Sequence, residues 1–240
     1  KPYLDPKHFY ITNPNIDASV DRPFLERGLS QAIATSEESL RGFLSKHLNV
    51  EIGLALRGDR WTGADFWEAC ASETRFTLDD MIKLCEVVCF GIDGGGLEDM
   101  LGASAIGPRP DGHMLLWAHA WIHPIVLERR KSEVTRFEQF KAEGDLTIVD
   151  RVGQDVEEVA QLVKRLEHAG VLDNMGVDQA GIGSIVDEIR KPSIRLQEPD
   201  KRIIGIPQGW RLVGAIKTLE RALAGRKITQ HGGGLMNYCV

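Results

Sequence analysis

The sequence predicts an α/β fold: a mixed sheet of three antiparallel strands and then parallel strands, flanked by helices and preceded by a helical segment. A short apolar run at residues 86–93 ends in Asp-Gly-Gly-Gly, as expected of a buried strand. Side chains alternate with the period of a strand at residues 113–122. An amphipathic segment at 155–169 leads directly into a second short strand at 172–178, as a crossover helix does.

The length and charge of the chain limit the class of protein to which it can belong. With 240 residues it can bury a full core as one large or two small domains. Its net charge of −6 argues against a protein that coats DNA non-specifically. Residues 189–240, however, hold ten Lys and Arg against three acidic residues, which indicates either an anionic partner or a solvated basic face. No apolar run approaches the roughly 18 residues of a membrane span.

The cysteines indicate the compartment, and the first residue indicates that the chain is a fragment. Cys70, Cys85, Cys89 and Cys239 show neither zinc-site spacing nor a disulfide framework, so we interpret them as reduced thiols in a cytoplasmic protein. The chain begins at Lys1 without a signal peptide, and we expect it to be a fragment of a longer protein.

Residues 1–80 form the predicted helical lead-in, and residues 81–240 the main domain. Asp21 is placed to cap a first helix, with Pro23 in its first turn. Thr35 and Glu38 have the spacing of a capping box for a second helix.

The rest of the chain supplies the remaining elements. We expect an antiparallel meander from strands at 86–93, 101–106 and 113–122, with a Gly- and Pro-rich turn before the third. A charged surface helix at 127–143 and a brief strand at 146–149 follow. Farther on we predict parallel strands at 172–178 and 202–206, a loop at 188–200, and a final helix with an apolar stripe over 212–223.

Two aspartates are the candidate metal ligands. Asp93 and Asp178 each end a predicted strand, and a helical segment between them could bring both to one edge of the sheet. Carboxylates that share a site repel each other, and a hard divalent cation relieves that repulsion. Phosphodiester cleavage by two metal ions needs such a cluster. The alternative for Asp93 is that it only starts a turn, and Asp99 is a weaker ligand candidate that could instead cap a turn.

Three histidines allow a second interpretation. His113, His119 and His123 share one strand face, which makes a metal site conceivable. No acidic residue accompanies them, so a packed second layer or an interface is favoured.

Three segments, FGIDGGGLEDMLG, MGVDQAG and KTLERALAGRKITQHGGGLMNY, resemble in their order and spacing the nuclease domain of large terminase subunits from tailed bacteriophages. NPNIDASVDRPFLERGL and the stretch from WTGADFWEAC to Phe90 are also similar to that family, so the resemblance covers nearly the whole chain. It implies a ribonuclease H-like fold and cleavage of concatemeric double-stranded viral DNA during packaging, in the host cytoplasm. Two ions, Mg²⁺ or Mn²⁺, are implied as cofactors.

The resemblance also assigns roles to residues. Asp93 and Asp178 match acidic positions of the family motifs and are implied as catalytic metal ligands. The residues that flank the final helix and its glycine-rich exit are expected to contact DNA phosphates without reading sequence: Lys217, Arg221, Arg226, Lys227 and His231.

The resemblance also implies a third metal ligand and partner proteins that this sequence does not contain. The family's third metal-binding aspartate lies beyond the HGGG segment, and nothing acidic follows Glu220 here, so we expect the 81–240 domain to be incomplete at its C-terminus. The implied partners are an upstream packaging ATPase domain, the small terminase subunit and the portal, with no membrane. The ATPase motif GxxxxGK[ST] does not occur in the chain.

Two alternatives remain open. Sugar kinases and actin-like ATPases share the strand-Asp-Gly-Gly opening, but their phosphate strand usually begins the domain, whereas about 85 residues precede it here. The other alternative is a DNA-docking or assembly module that keeps the fold without turnover, and the missing third acid favours it.

Overall fold

The structure is a computed structural model that describes residues 2–50, 61–178, 183–207 and 209–240. Its contacts divide the chain into two compact units, Lys1–Asp65 and Phe66–Val240, and each is described by itself. The last residues of the MGVDQAG segment, 179–181, lie outside the described ranges.

The first unit is helical. It contains two short 3-10 helices, Pro2–Leu4 and Pro6–Ile11, followed by α1 (Arg22–Thr35) and α2 (Glu37–Leu48). Its core consists of one aromatic and four leucine side chains from these helices: Phe9, Leu25, Leu29, Leu44 and Leu48.

The caps of these helices differ from the prediction. Asp21 precedes α1 but makes no side-chain capping hydrogen bond. Ser36, not Thr35, caps α2, because its hydroxyl accepts the Ser39 N–H at 3.0 Å. Thr35 is the last residue of α1 and donates its own hydroxyl to the Gln31 carbonyl at 2.8 Å, so it is not available as a cap.

The second unit is built on a mixed sheet, which confirms the predicted fold class. Its strands are β1 (Val88–Gly94), β2 (Leu101–Pro108), β3 (Met114–Ile122), β4 (Leu146–Ile148), β5 (Leu172–Asp178), β6 (Ile203–Ile206) and β7 (Ile228–Gln230). The spatial order is β4-β3-β2-β1-β5-β6, and β7 also pairs with β3. β1, β2 and β3 are antiparallel, whereas β5 and β6 continue in parallel from β1, and β4 and β7 run parallel to β3.

Several helices accompany this sheet. Counting from the boundary of the two units they are α3 (Ala64–Trp67), α4 (Leu78–Leu84), α5 (Pro124–Arg129), α6 (Val134–Glu143), α7 (Gln154–His168), α8 (Gly183–Ile189), α9 (Pro199–Arg202), α10 (Val213–Ala224) and α11 (Gly234–Cys239). None of the helices in the described ranges is long and apolar enough to cross a membrane.

Several details of the prediction were wrong. The expected surface helix at 127–143 is instead the end of α5, a short 3-10 helix (Lys131–Glu133) and α6, because Arg130 leaves the helical conformation (φ −108°, ψ 55°). The α6 part also buries Phe137 and Phe140, so it is a core helix with a charged outer side. The expected loop at 188–200 contains the end of α8 and the start of α9, and neither β7 nor α11 was anticipated.

The two faces of the central strands differ. On one, the packed face, large apolar side chains such as Phe90 and Met175 form a core with residues of α4, α7 and α8. The other, the pocket face, carries small side chains at the central positions of β1, β2, β3 and β5: Gly91, Gly102, Ser104, Ala118, Ala120 and Gly176. The β3–β4 end of the pocket face is covered by a smaller apolar cluster that includes α5, α6 and Leu235 of α11.

Candidate functional site

The sheet brings the two predicted aspartates side by side. β1 and β5 are adjacent and parallel, with Gly91 opposite Gly176 and Ile92 opposite Val177. Asp93 and Asp178 each follow one residue later, so they stand next to each other at the carboxyl ends of these strands. Neighbouring strands lie about 4.8 Å apart, which is close enough for two strand-end carboxylates to bind the same cation.

The turn after β1 orients Asp93. Gly94 has φ +74°, and a Cβ atom there would come within 2.4 Å of the Met100 carbonyl oxygen, so the tight return into β2 requires glycine. The Gly94 N–H donates to Asp93 Oδ1 at 2.9 Å, and the Gly95 N–H donates to the Met100 carbonyl at 3.2 Å. The turn therefore holds the exposed carboxylate of Asp93 at the strand end.

A pocket of about 620 Å³ opens over these carboxylates. Its floor is the pocket face, where Gly102 and Ala120 continue the row that Asp93 begins. Its far wall is formed by residues that follow β7, among them His231, Leu235 and Met236. Because the floor has no side chain larger than serine at its central positions, a bulky group can approach the sheet backbone closely.

Asp99 lies on the rim of the same pocket. Its side chain is exposed, Oδ1 accepts the Met100 N–H at 2.8 Å, and Arg130 Nη2 lies 3.7 Å from the same oxygen. Asp99 therefore caps the turn before β2 and lines the pocket, and its role in metal binding stays a prediction.

The described residues fit a divalent cation for which the protein supplies only some of the ligands. Within the described ranges no group of three or more His, Cys, Asp and Glu side chains is arranged to hold a metal ion. Two adjacent carboxylates are nevertheless what Mg²⁺ commonly takes from a protein, since it keeps several waters and binds substrate phosphates as well. Asp93 and Asp178 would supply these two carboxylates.

The five predicted DNA contacts separate into two groups. Lys217 and Arg221 lie one turn apart on α10, and Arg226 and Lys227 lie in the turn before β7; all four are exposed. His231 is only 3% exposed and is enclosed beside a buried aspartate. A side chain in that position does not present a surface to a phosphate group.

That buried aspartate, Asp145, was missed. It is 2% exposed, accepts the Leu235 N–H at 3.2 Å, is ion-paired with Arg75, and lies 3.4 Å from His231 Nε2. Burial alone would raise the pKa of Asp145, but contact with the His231 imidazole, the Leu235 N–H and the Arg75 charge together hold it below its ordinary value of 3.8. Its only sequence signal is a Gly-Asp pair, which a turn explains equally well.

Asp145 cannot share a metal ion with Asp93. Asp93 pairs with Gly102, Gly102 pairs with Ala120, and the Ala120 N–H bonds to the Asp145 carbonyl at 3.1 Å. Three strand spacings of about 4.8 Å separate the two backbones by roughly 14 Å. Asp145 therefore belongs to the far wall of the pocket and not to the carboxylate pair.

Two of the three histidines at β3, His113 and His119, are packed side chains. His113 Nε2 lies 2.7 Å from Thr229 Oγ1, and His119 Nε2 lies 2.9 Å from Thr147 Oγ1. Burial lowers the pKa of His119 below its ordinary 6.5, although nearby carboxylates oppose the shift. These contacts agree with a packed layer, and His123 joins no metal cluster among the described residues.

Comparison with known proteins identifies the fold. No protein-family model and no curated protein matches the chain. Among solved structures, the HK97 bacteriophage large terminase is similar, with a TM-score of 0.58 and 16% identity over 100% of this chain and 47% of that one. The chain thus spans about half the length of that terminase.

A human cytomegalovirus terminase nuclease domain, described as Mn-soaked and inhibitor-bound, gives a TM-score of 0.38 and 11% identity over 70% of this chain and 73% of its own. The first likeness confirms the predicted resemblance to terminases at the level of the fold, a mixed α/β sheet flanked by helices. The second is too distant to carry an argument.

Proposed function

We propose that this chain is the nuclease part of a DNA-packaging terminase and cuts double-stranded DNA by metal-dependent phosphodiester hydrolysis. The observation that carries the proposal is the register of β1 and β5, which sets Asp93 and Asp178 side by side beneath an open pocket. The likeness of the fold to a phage large terminase supports it.

The residues of the site have different roles in the proposed reaction. Asp93, oriented by the Gly94 N–H, and Asp178 would hold Mg²⁺ or Mn²⁺, with Asp99 in support at the rim. Divalent ions bound there supply Lewis-acid stabilisation of the phosphate charge and activate the attacking water. The small side chains of the floor leave room for a DNA strand to approach the carboxylates.

The exposed cations of the C-terminal part would hold the duplex. Lys217, Arg221, Arg226 and Lys227 are at the surface around α10, and Leu212, which precedes that helix, lines the pocket. Contacts from Lys and Arg to phosphates position DNA without reading its sequence. The whole assembly, with an upstream packaging ATPase, a small terminase subunit and a portal in the host cytoplasm, is part of the proposal through the resemblance.

Plasmid nicking in Mn²⁺ or Mg²⁺ tests the proposal. Asp93→Asn and Asp178→Asn should each abolish nicking, because each removes one of the two carboxylates. Thermal stability should stay unchanged or rise, because each substitution also removes one of two repelling charges. Asp173→Asn is the matched control, since Asp173 is an exposed aspartate on the same strand. Nicking that survives in both site variants would show that these residues are not the ligands.

A DNA-docking module without turnover is the second candidate. It is favoured by one observation, that the described residues offer two clustered carboxylates and not three. Duplex binding without nicking, both in this chain and in a version extended past Val240, would establish it. ATP binding by calorimetry would revive the actin-like or sugar-kinase alternative.

A further inference from the structure

The buried polar residues of the described part lie together. Across the described ranges three polar or charged residues are buried: Asp145, Gln230 and His231. Gln230 is the last residue of β7, and Asp145 immediately precedes β4. Both of these strands pair with β3, so the three side chains meet along one edge of that strand.

Asp145 forms one anchor for the chain that follows β7. Its Oδ2 accepts the Leu235 N–H at 3.2 Å, and its Oδ1 lies 3.4 Å from His231 Nε2. Arg75 is ion-paired with the same carboxylate and also donates to the Glu143 carbonyl at 2.8 Å. A single carboxylate thus joins a loop before α4, the start of β4 and the first turn of α11.

Gln230 forms a second anchor for the same segment. Its Oε1 accepts the Gly232 N–H at 2.7 Å, and its Nε2 lies 3.5 Å from Asn237 Oδ1. The indole of Trp67 donates to that Asn237 oxygen at 2.8 Å. Close packing adds a third restraint, because a Cβ at Gly233 would lie 2.4 Å from His231 Nε2 and 2.9 Å from Asp145 Oδ1.

These anchors hold residues that form one side of the pocket. His231, Leu235, Met236 and Cys239 line the pocket across the floor from the carboxylate pair. Burying a carboxylate is unfavourable unless it is paired, and an apolar core at the same place is often at least as stable. A buried polar network adds a defined geometry; here Asp145 supplies it through Leu235 and Arg75, while His231 Nε2 packs beside the carboxylate without a hydrogen bond. The segment that this network defines is the pocket wall.

We propose that Asp145 is a positioning residue: it sets the α11 wall of the pocket opposite Asp93 and Asp178, and so places the DNA strand over them. This inference rests on the proposed nuclease function for its consequence in catalysis. Asp145 lies about three strand spacings, roughly 14 Å, from Asp93 and acts without touching the metal ions. Its effect passes through the Leu235 backbone and Arg75.

The decisive variant is Asp145→Asn, which retains an oxygen for the Leu235 N–H but loses the charge that pairs with Arg75. Asp150→Asn is the control, because Asp150 is exposed five residues later. At a temperature where circular dichroism shows both fully folded, maximal nicking should fall about 10- to 100-fold for Asp145→Asn, the size that misplacement of a reacting group by about 1 Å produces. The Mn²⁺ concentration for half-maximal nicking should stay the same. Hydrogen exchange should rise in peptide 231–239 and stay unchanged in 88–108.

If Asp145→Asn does not fold, Arg75→Gln removes the partner from the partly exposed side and should change the same readouts in the same direction. Unchanged nicking with raised exchange would reduce Asp145 to a structural role, and a shifted Mn²⁺ midpoint would place its action at the metal; either overturns the proposal. If the unaltered chain does not nick DNA, the proposed function fails separately. Exchange then decides alone: a rise confined to 231–239 supports the positioning of the wall, and a uniform rise overturns it.

Discussion

The two faces of the central sheet show how the same strands serve stability on one side and a site on the other. Phe90 and Met175 on the packed face are almost fully buried against helices, whereas Gly91 and Gly176, their neighbours in the chain, form the floor of the pocket. Side chains in a strand alternate between faces, so each residue contributes to only one of them.

The contrast has an energetic meaning. Burial stabilises by roughly 25 cal/mol per Å² of apolar surface, and glycine and alanine have little such surface to bury. The pocket face therefore contributes little to folding, and the packed face compensates with its large side chains. A substitution should have a large effect on stability on one face and a small effect on the other.

The largest expected effect comes from truncating one methionine on the packed face and one in the pocket wall. Met175→Ala removes a side chain with 0% exposure from the packed face and should lower the free energy of unfolding by about 2–5 kcal/mol. Met236→Ala, in the pocket wall and partly exposed, should lower it by about 1 kcal/mol or less. Urea unfolding measures both, and equal losses would mean that the pocket wall is as tightly packed as the core.

Enlarging an alanine on each face should give a smaller difference. Ala105 is fully buried on the packed face, so Ala105→Leu should overpack the core and cost about 1–3 kcal/mol. Ala118 lies in the pocket floor, where Ala118→Leu can extend into open space and should change stability by about 0.5 kcal/mol at most. Thermal unfolding compares the two. A large loss for Ala118→Leu would show that the pocket face has no room.

The smallest effect on stability is expected beside the pocket, from replacing Lys217, Arg221 and Lys227 together by alanine. All three side chains are exposed, so the free energy of unfolding should not change measurably. If they track phosphates, duplex affinity should be weak and sequence-independent, and the slope of affinity against salt should fall by roughly one unit per cation lost.

Titration of duplex affinity between about 50 and 200 mM salt measures that slope. Replacing Lys141 and Lys164, which are exposed on α6 and α7, is the control for general loss of positive charge. An unchanged slope in the triple variant would make the α10 cations a solvated face, with DNA entering elsewhere.

Much of the sheet could be predicted because its signals are local. The alternation at 113–122 became β3 (Met114–Ile122), and the stripe at 155–169 became α7 (Gln154–His168). The boundary errors have local causes too. Thr35 and Ser36 are both good capping residues, and only the length of α1 decides between them. The break at Arg130 could not be predicted, because no glycine or proline lies there.

Within the candidate site, the sequence indicated which aspartates end strands but not which polar residues are buried. Asp145 and His231 are 86 positions apart, and neither has a neighbour in the chain that predicts burial. His231 was expected at the surface because it follows a basic helix, yet the pairing of β7 with β3 carries it inside.

The sequence by itself determined the strands other than β7, the glycine turn after Asp93 and the two strand-end carboxylates, because these depend on residues a few positions apart. Only the tertiary structure decided that β1 and β5 lie in register, that one face of the sheet is a floor of small side chains, and that a buried Asp145 holds the opposite wall. Register and burial depend on contacts between segments that are distant in the chain. The energies of these contacts add up over the whole core, so no single stretch of sequence predicts them.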